Sequence, residues 1–469
     1  MIVEQIYTGC LAHGAYYIES KGEAAIIDPL REVQSYIDRA EKSGAKYTYI
    51  FETHFHADFV SGHVTMAEKT GAKIVYGPTA KPAFESVVAK DGEEFKVGDV
   101  TIKTLHTPGH TMESTTWLLI DENGKDYAIF SGDTLFLGDV GRPDLAQKAA
   151  NMTQEQLAAT LFHSLRDKIM PLADDVIVYP GHGAGSACGK NMMKETVDTL
   201  GNQKKMNYAL RADMTEAEFV KEVTDGLLPP PAYFPMNVKM NKEGYANIDD
   251  VIAKGENALD PEAFELAANA TEALILDVRT EKEFVNGFIP KSIFIGLNGN
   301  FAPWVGAMIK DVDQPILLVA DENKVEEAIT RLSRVGFDNT IGYLKGGFDA
   351  WKNAGKEVDT ITSISADEFE QIVSKGDVPV FDLRRNGEYD AEHLTMASNA
   401  PLDYLNDHLA EFPQDKTFYI HCAGGYRSVI GASILKSRGI HNLVDLAGGF
   451  GALKNTSLPK TDYACQSTK

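Results

Sequence analysis

Residues 53–59, which read THFHADF, carry the side chains of a metal site. Two imidazoles (His54, His56) and the carboxylate of Asp58 fall within five residues, directly after an apolar run, Tyr47 to Glu52, that predicts a strand. A strand fixes the directions of the ligands, and the loop after it lets their side chains converge on one ion. The stretch is therefore a candidate metal-binding loop.

Three further polar groups stand in the same position, each just after an apolar run. Strand ends between two sheets can collect ligands from distant parts of a chain, so four such groups in one order predict a common metal site. The later groups contribute His110 of TPGH, Asp133 of SGD and His182 of YPGH.

Residues 421–428, which read HCAGGYRS, form a second candidate site. They follow the apolar strand Phe418 to His421 and open a helix. Glycines let backbone N–H groups point inward, and a helix N-terminus adds partial positive charge, so the loop favours a thiolate or persulfide anion. The pattern predicts a nucleophilic Cys422, and the other candidate site residues of the loop are Gly424, Gly425, Tyr426, Arg427 and Ser428.

Composition indicates a soluble globular protein of about three domains, since 469 residues exceed one ordinary core. A net charge of -23 disfavours nucleic acid and anionic membranes as partners. With no signal-peptide pattern and no membrane-length apolar run, we expect a cytoplasmic location. The four cysteines lie far apart, which argues against disulfides and thiolate zinc knots. They are Cys10, Cys188, Cys422 and Cys465, and the roles of Cys10 and Cys188 stay open.

Residues 1–244 are predicted to form an α/β domain of two sheets with outer helices. Alternating strands and helices support this, as do two hairpins, Ala15 to Ser20 with Glu23 to Asp28 and Thr115 to Ile120 with Tyr127 to Ser131. The proline-rich segment Leu227 to Gly244 is predicted to run extended. We place the domain boundary at its end.

Beyond residue 244 the sequence repeats itself. Asp277-Val278-Arg279 and Gly346-Gly347-Phe348 recur as Asp382-Leu383-Arg384 and Gly448-Gly449-Phe450. We predict two small α/β domains with parallel sheets, residues 245–358 and 359–469. The first copy has Asp321-Glu322-Asn323-Lys324 in place of the cysteine loop, so we expect it to be a scaffold.

The ligand order His54, His56, Asp58, His110, Asp133, His182 resembles the metallo-β-lactamase superfamily and, within it, the glyoxalase II and persulfide dioxygenase branch. The resemblance implies an αββα sandwich over the first half of the chain. In the dinuclear hydrolases of that branch, His54, His56 and His110 would hold one zinc, Asp58, residue 59 and His182 a second, and Asp133 would bridge. Phe59 departs from this pattern because a phenyl ring has no lone pair to donate, so we expect one metal.

Persulfide dioxygenases use a single iron held by two histidines and one carboxylate, and the matching residues are His54, His110 and Asp133. Such a set leaves open positions for substrate sulfur and O2, so the resemblance implies one Fe(II) per chain. His56, Asp58 and His182 would then orient ligands or water, although His56 could equally coordinate. The resemblance also implies that Arg142 contacts the carboxylate of a glutathione-like substrate; an ion pair with Asp139 or Asp144 is the alternative.

The cysteine loop resembles the rhodanese sulfurtransferases, because Arg427 lies five positions after Cys422 and the acid-x-Arg turn is present. The expected function is persulfide dioxygenase activity, which converts a glutathione or coenzyme A persulfide and O2 to sulfite and thiol. Sulfur transfer at Cys422 would link that reaction to thiosulfate. The thiol carrier and the direction of sulfur transfer stay open, and the resemblance favours a homodimer or homotetramer.

Two other functions compete with this one. A glyoxalase II-like thioester hydrolase would activate water with two zinc ions, and Phe59 counts against it. A non-enzymatic sulfur carrier or sensor would store persulfide on Cys422 beside a structural metal.

Overall fold

The computed structural model describes residues 1–463, and the chain divides into two compact units. The first comprises Met1–Asp249 with Leu332–Gly336, and the second comprises the remainder of the described chain. Cys465 lies outside the described residues. The predicted domain boundaries at residues 244 and 358 are not resolved by this division and stay predictions. Across residues 1–463, every helix is too short or too polar to cross a membrane.

The first unit contains two six-stranded sheets. The first sheet runs in chain order: β1 (Ile2–Thr8), β2 (His13–Ser20), β3 (Glu23–Ile27), β4 (Lys46–Phe51), β5 (Lys73–Tyr76) and β6 (Val87–Val88). The second sheet is also ordered as the chain runs: β7 (Glu94–Val97), β8 (Val100–His106), β9 (Thr115–Ile120), β10 (Asp126–Gly132), β11 (Ile177–Pro180) and β12 (Asp198–Thr199). Both predicted hairpins are confirmed, as antiparallel β2–β3 and β9–β10.

The helices of this unit are α1 (Gln34–Ser43), α2 (His63–Thr70), α3 (Gln147–Ala150), α4 (Gln154–Ser164), α5 (Leu200–Met206), α6 (Glu216–Thr224) and α7 (Phe234–Glu243). Helices α1 and α2 pack against the first sheet. Helices α4, α5 and α6 pack Leu161, Leu200 and Phe219 against the second sheet. The sheets bury the opposite faces against each other, with Phe51 beside Trp117 at a ring-centroid distance of 4.7 Å. The expected αββα sandwich is confirmed, because alternating apolar residues give each strand one face for this core.

The prediction that Leu227 to Gly244 runs extended is wrong, because Phe234–Glu243 is helix α7. Pro235 lies in the first turn of the helix, where its missing N–H needs no partner. Helix α7 supplies Asn241, whose amide donates to the carbonyls of His56 and Phe59 at 2.8 Å each and accepts from the N–H of Ser61 at 2.8 Å. The proline-rich segment therefore ends in a helix that holds the candidate metal loop.

The second unit contains two five-stranded parallel sheets, as the repeat predicted. In spatial order, the first has β13 (Ala258–Leu259), β17 (Thr340–Leu344), β16 (Ile316–Val319), β14 (Leu274–Asp277) and β15 (Ile293–Phe294). The other has β18 (Ser363–Ile364), β22 (Leu443–Leu446), β21 (Phe418–His421), β19 (Val380–Asp382) and β20 (Ala397–Asn399). The matching strand orders show that the two repeats share one sheet topology.

The helices after α7 run in the order α8 (Ile248–Gly255), α9 (Pro261–Thr271), α10 (Glu281–Asn286), α11 (Phe301–Met308), α12 (Val325–Ser333), α13 (Gly347–Asn353), α14 (Ala366–Val373), α15 (Asn386–Ala391), α16 (Tyr426–Ser437) and α17 (Gly449–Leu453). Helix α16 follows the cysteine loop, as predicted.

Replacing Asn241 with Ala is expected to lower the free energy of unfolding by about 3 kcal/mol, because three buried backbone groups of the metal loop lose their partner. Urea unfolding of the variant measures this loss. The matched control is Asn202→Ala, whose side chain is exposed and donates to Asp198, and it should shift stability by less than about 0.5 kcal/mol. Equal losses in the two variants would show that Asn241 does not hold the loop.

Candidate functional site

The candidate metal ligands lie in loops after four strands at one edge of the sandwich. His54, His56 and Asp58 follow β4, and Asp133 follows β10. Gly132, the last residue of β10, has a φ of +50°, and a Cβ there would lie 2.5 Å from the Thr53 Oγ1 atom. Only glycine lets the two loops approach this closely. The chain therefore brings residues almost 130 positions apart into one pocket.

His54, His110 and Asp133 form the first group of donors. The Asp133 Oδ2 atom lies 4.0 Å from the His54 Nε2 atom and 3.5 Å from the His110 Nε2 atom. All three side chains are buried. These residues are the predicted ligand set, and one ligand atom of each lies within 4.8 Å of the others.

Hydrogen bonds fix which nitrogen of each histidine faces the pocket. The Thr53 hydroxyl donates to Asp28 at 2.8 Å, so it accepts from the His54 Nδ1–H at 3.0 Å. The His110 Nδ1–H donates to the carbonyl of Arg142 at 2.9 Å, since a carbonyl can only accept. Both Nε2 lone pairs are therefore free for a metal. Burial and the neighbouring imidazoles lower the pKa of His54 well below its usual value, which keeps it neutral.

A second group of donors adjoins the first. The His182 Nε2 atom lies 3.3 Å from the Asp58 Oδ2 atom and 3.6 Å from the Asp133 Oδ1 atom. The two oxygens of Asp133 thus face different groups. Among residues 1–463, neither oxygen of Asp133 and neither ring nitrogen of His182 has a hydrogen-bond partner. Buried polar atoms in this condition are what a bound cation would satisfy.

His56 is engaged on the side away from the first group. Its Nε2 atom lies 3.1 Å from the Asp28 Oδ1 atom and 3.5 Å from the Glu52 Oε2 atom. Burial alone would lower the pKa of His56, but these carboxylates raise it to about 9. The geometry favours an orienting role, although His56 also lies within 4.8 Å of Asp58 and His182.

Phe59 and His13 fill the space beside the second group. The Phe59 ring is fully buried, with its centroid 4.3 Å from that of His56 and 4.2 Å from that of His13. His13 also lies 5.7 Å from His182, ring to ring. No sequence motif pointed to His13, because it lies at the start of β2 rather than at a strand end. Burial lowers its pKa well below the usual value.

Arg142 is buried, and all three of its guanidinium nitrogens are engaged. The Nε and Nη2 atoms donate to Asp144 at 2.7 Å each, and the guanidinium also donates to the carbonyls of Ala187 and Leu228. A substrate carboxylate would have to displace Asp144. In the structure Arg142 positions other residues, since its carbonyl orients His110 and its N–H donates to the carbonyl of Cys188 at 3.1 Å.

Cys188, whose role the sequence leaves open, lies at the second group of donors. Its sulfur, one oxygen of Asp133 and one nitrogen of His182 lie within 4.8 Å of one another. The side chain is buried, and burial, followed by the carboxylates of Asp58 and Asp133, raises the pKa of its thiol.

The cysteine loop folds around a buried sulfur. The Gly425 N–H donates to the Cys422 Sγ atom at 3.1 Å, and Gly425 has a φ of +109°, which a residue with a side chain rarely adopts. The Cys422 thiol lies 3.7 Å from the Ser428 Oγ atom, and that hydroxyl donates to Asp445 at 2.6 Å. At the start of α16 the Cys422 sulfur therefore accepts from the Gly425 N–H, and its thiol faces the Ser428 oxygen as a donor. Gly424 is exposed on the outside of the loop.

The side chains of Arg427 and Tyr426 form hydrogen bonds with residues outside the cysteine loop. The Arg427 guanidinium forms two hydrogen bonds with Glu388, at 2.6 and 2.8 Å. The Tyr426 hydroxyl donates to the carbonyl of Gly296 at 2.6 Å, and its ring packs on Phe294 at 5.8 Å. Both Gly296 and Phe294 belong to the first repeat. The first repeat therefore supports the cysteine loop through Tyr426. The contact of Tyr426 with a bound sulfur group stays a prediction.

The two repeated motifs contact each other in both copies. The Arg384 guanidinium bonds Asp382 and stacks over the Phe450 ring at 4.1 Å. Arg279 repeats this over Phe348 at 4.3 Å. In the second copy the Phe450 N–H also donates to the carbonyl of Cys422 at 2.6 Å. The motifs are thus structural, and only the second copy adds a thiol to them.

Comparison with known protein families matches both parts of the chain. A Metallo-beta-lactamase superfamily model matches residues 8–182, and a Rhodanese-like domain model matches residues 260–354 and 365–456. A solved metallo-beta-lactamase from Staphylococcus aureus subsp. aureus COL is 32% identical, with a TM-score of 0.65, and the match covers 74% of this chain and 99% of that chain.

Two further similarities cover less of the chain. Hydroxyacylglutathione hydrolase from Rhizobium etli is 35% identical over 165 residues, which make up 34% of this chain and 57% of that relative. The chain therefore spans less than two thirds of that relative's length. The solved ETHE1 from Myxococcus xanthus is 28% identical, and the match covers 52% of this chain and 98% of that chain. The TM-score of that match is 0.45.

Asp445 should make stability depend on pH. Burial raises the pKa of this carboxyl to about 6, although the hydroxyls of Ser428 and Ser363 partly oppose the rise. The folded state then binds more protons than the unfolded state between about pH 4 and 6, so stability falls as pH rises through that window. Asp445→Asn removes this titration. As pH rises from 4 to 7, the melting temperature of the variant should therefore rise relative to that of the native protein.

Over this pH range, the free energy of unfolding of the variant should rise relative to that of the native protein by roughly 3 kcal/mol at most. The control is Asp415→Asn, which changes an exposed carboxyl. A constant difference in melting temperature between Asp445→Asn and the native protein across this pH range would refute the assignment.

Proposed function

Because the chain belongs to the metallo-β-lactamase superfamily and carries two rhodanese-like domains, we propose that it oxidises a thiol persulfide with O2 and transfers sulfane sulfur through Cys422. The main support is the buried group of His54, His110 and Asp133. Both histidines turn the Nε2 atom toward one carboxylate oxygen, as a site of two imidazoles and one carboxylate requires.

The donor set fits Fe(II). His54, His110 and Asp133 would hold the ion, which supplies O2 activation and open positions for substrate sulfur. The neutral imidazole of His54 and the Asp133 carboxylate, which has no hydrogen-bond partner among residues 1–463, need no rearrangement before binding. Zinc would fit the same donors, but it has no accessible redox couple. Phe59 supports a single iron, since it adds no ligand to the second group.

The proposed oxidation balances as R–S–SH + O2 + H2O → R–SH + SO3²⁻ + 2 H⁺. The S–S bond breaks, the outer sulfur is oxidised and O2 is reduced. His182 and Asp58, 3.3 Å apart and beside Asp133, are placed to orient water and to take up the released protons. Thr53 and the Arg142 carbonyl keep the imidazole rings fixed meanwhile. The proposed carrier is glutathione, coenzyme A or another low-molecular-weight thiol, since each of them can present a persulfide of this kind.

Sulfur transfer at Cys422 follows two balanced steps. The thiolate takes the outer sulfur from R–S–SH and releases R–SH, and the Cys422 persulfide then passes that sulfur to sulfite to give thiosulfate. The Gly425 N–H, 3.1 Å from the Cys422 Sγ atom, would stabilise the anion in each step. The first repeat acts as a scaffold in this scheme, since Gly296 and Phe294 brace Tyr426.

Thioester hydrolysis is the second candidate, supported by the hydroxyacylglutathione hydrolase relative. Such a reaction would use two metals to activate water. Asp133, with one oxygen toward each donor group, is suited to bridge two ions. The two reactions differ in O2 consumption, which makes them separable.

Asp133→Asn should abolish O2 uptake, because an amide replaces the charged ligand. The protein is loaded anaerobically with Fe(II), and an oxygen electrode and a sulfite assay follow its reaction with glutathione persulfide and coenzyme A persulfide in parallel. The native protein should hold about one iron and form sulfite. Asp175→Asn, an exposed carboxylate paired with Lys125, is the control that keeps both properties. Two zinc ions per chain with S-lactoylglutathione turnover and no O2 uptake would establish the hydrolase instead.

Cys422→Ser should stop thiosulfate formation while O2 uptake continues, because the two steps use separate sulfur sites. Ion chromatography measures the amounts of thiosulfate and sulfite formed after persulfide oxidation, and sulfite should accumulate in the variant. Cys10→Ser serves as the matched control. Unchanged thiosulfate output from Cys422→Ser would mean that the two activities are not coupled through this thiol.

A further inference from the structure

A cavity of about 420 Å³ lies between the two repeats of the second unit. Its lining comes from residues 272–314 of the first repeat and residues 406–438 of the second. Ile434 and Arg438 line it at the end of α16, whereas the cysteine loop precedes the other end of this helix. A helix of 12 residues spans about 18 Å. The cavity is therefore separate from the Cys422 site, and its volume is within the range of small-molecule pockets.

Aliphatic side chains form the apolar part of the cavity. Leu274, Ile293 and Met308 come from the first repeat, and Ile434 comes from the second. Among the described residues, none that lines the cavity is aromatic. Nucleotide bases bind largely by stacking on aromatic rings, whereas a lining of branched aliphatic side chains and a flexible methionine suits an alkyl chain.

Three cations border this apolar part, namely Lys291, Lys310 and Arg438. All three side chains are exposed, and among residues 1–463 none of them forms an ion pair. The carboxylates of Glu272 and Asp311 also line the cavity, which leaves one more positive than negative charge. Because the whole chain has a net charge of -23, a local excess of positive charge at a cavity favours an anionic ligand there.

Two of these cations have a second role in the fold. Lys310 and Arg438 follow the last turns of α11 and α16, where a positive charge complements the helix dipole. Lys291 has no such role, since it lies in the turn before β15. The Lys291 ammonium group is therefore the cation best suited to hold the ligand.

The backbone at Lys291 is unusual for a lysine. The Ser292 N–H donates to the carbonyl of Ile289 at 3.0 Å, which closes a turn with Pro290 and Lys291 at its centre. Lys291 has a φ of +68°, and the residue after the proline of such a turn is normally glycine or asparagine. Strained positions of this kind cluster at ligand sites, which favours a binding role for the ammonium group.

We propose that this cavity binds a fatty carboxylate, with the alkyl chain against Ile293, Met308 and Ile434 and the carboxylate on the Lys291 ammonium group. A single carboxylate matches the one excess positive charge of the lining. Charge-assisted hydrogen bonds are roughly twice as strong as neutral ones, so Lys291 anchors the ligand. The site goes beyond the proposed function and does not depend on it, because neither the metal ligands nor Cys422 takes part.

Isothermal titration calorimetry of the full chain with decanoate, kept below its micelle concentration, tests the proposal. One decanoate per chain should bind. Acetate lacks the alkyl chain and decyl alcohol lacks the charge, so each should bind about tenfold more weakly or worse. Decyl alcohol that binds as tightly as decanoate overturns the assignment of an anion, and acetate that does so overturns the assignment of an alkyl chain.

Lys291→Gly should weaken decanoate binding about tenfold or more, because the charged donor is lost. Glycine relieves the backbone at this position, so the variant should melt no lower than the native protein. Lys291→Arg keeps the charge and should retain most of the affinity. The matched control is Lys21→Gly, which changes another exposed lysine with a positive φ, +50°, in the first unit and should leave decanoate affinity unchanged. Equal affinities of Lys291→Gly and the native protein, or native protein that binds no decanoate, would rule out this site.

Discussion

The burial of Asp133 without a hydrogen-bond partner among residues 1–463 is the constraint on which the site depends. A buried carboxylate is costly unless a cation or hydrogen bonds compensate it. Here the compensating positions are imidazole nitrogens 3.5 to 4.0 Å away, too far for hydrogen bonds and suited to a bound ion. The fold therefore leaves a buried negative charge uncompensated at the edge of the sandwich. A bound metal ion would compensate this charge and would also stabilise the folded chain.

The rest of the first unit keeps these donors from rearranging to satisfy one another. Thr53 and Asp28 fix the His54 ring, and the Arg142 carbonyl fixes the His110 ring. Asn241 holds the loop between them through three backbone groups. These supports come from sites scattered between residues 28 and 241. Preorganisation by such outer hydrogen bonds is what tunes a metal site.

In the second unit, both repeats share the same supporting contacts, and the second repeat alone carries the candidate reactive thiol. Both repeats keep the contact between an acid-x-Arg turn and a Gly-Gly-Phe turn, seen as Arg279 over Phe348 and Arg384 over Phe450. Only the second repeat places a thiol at the end of its central strand. The first repeat contributes instead through Gly296, which accepts the Tyr426 hydroxyl. The first repeat, which has no cysteine at this place, thus helps to position the cysteine loop of the second repeat.

Sequence alone determined the sandwich, the parallel repeats and the group of His54, His110 and Asp133, because strand periodicity and strand-end motifs are local signals. Tertiary structure decided which atoms meet. Helix α7 replaced the expected extended segment, since packing of Asn241 under the metal loop outweighs a proline-rich composition. Arg142 turned to Asp144, and His13 and Cys188 entered the site from positions without a motif. Such contacts join residues far apart in the chain, and their geometry follows from packing that no local pattern encodes.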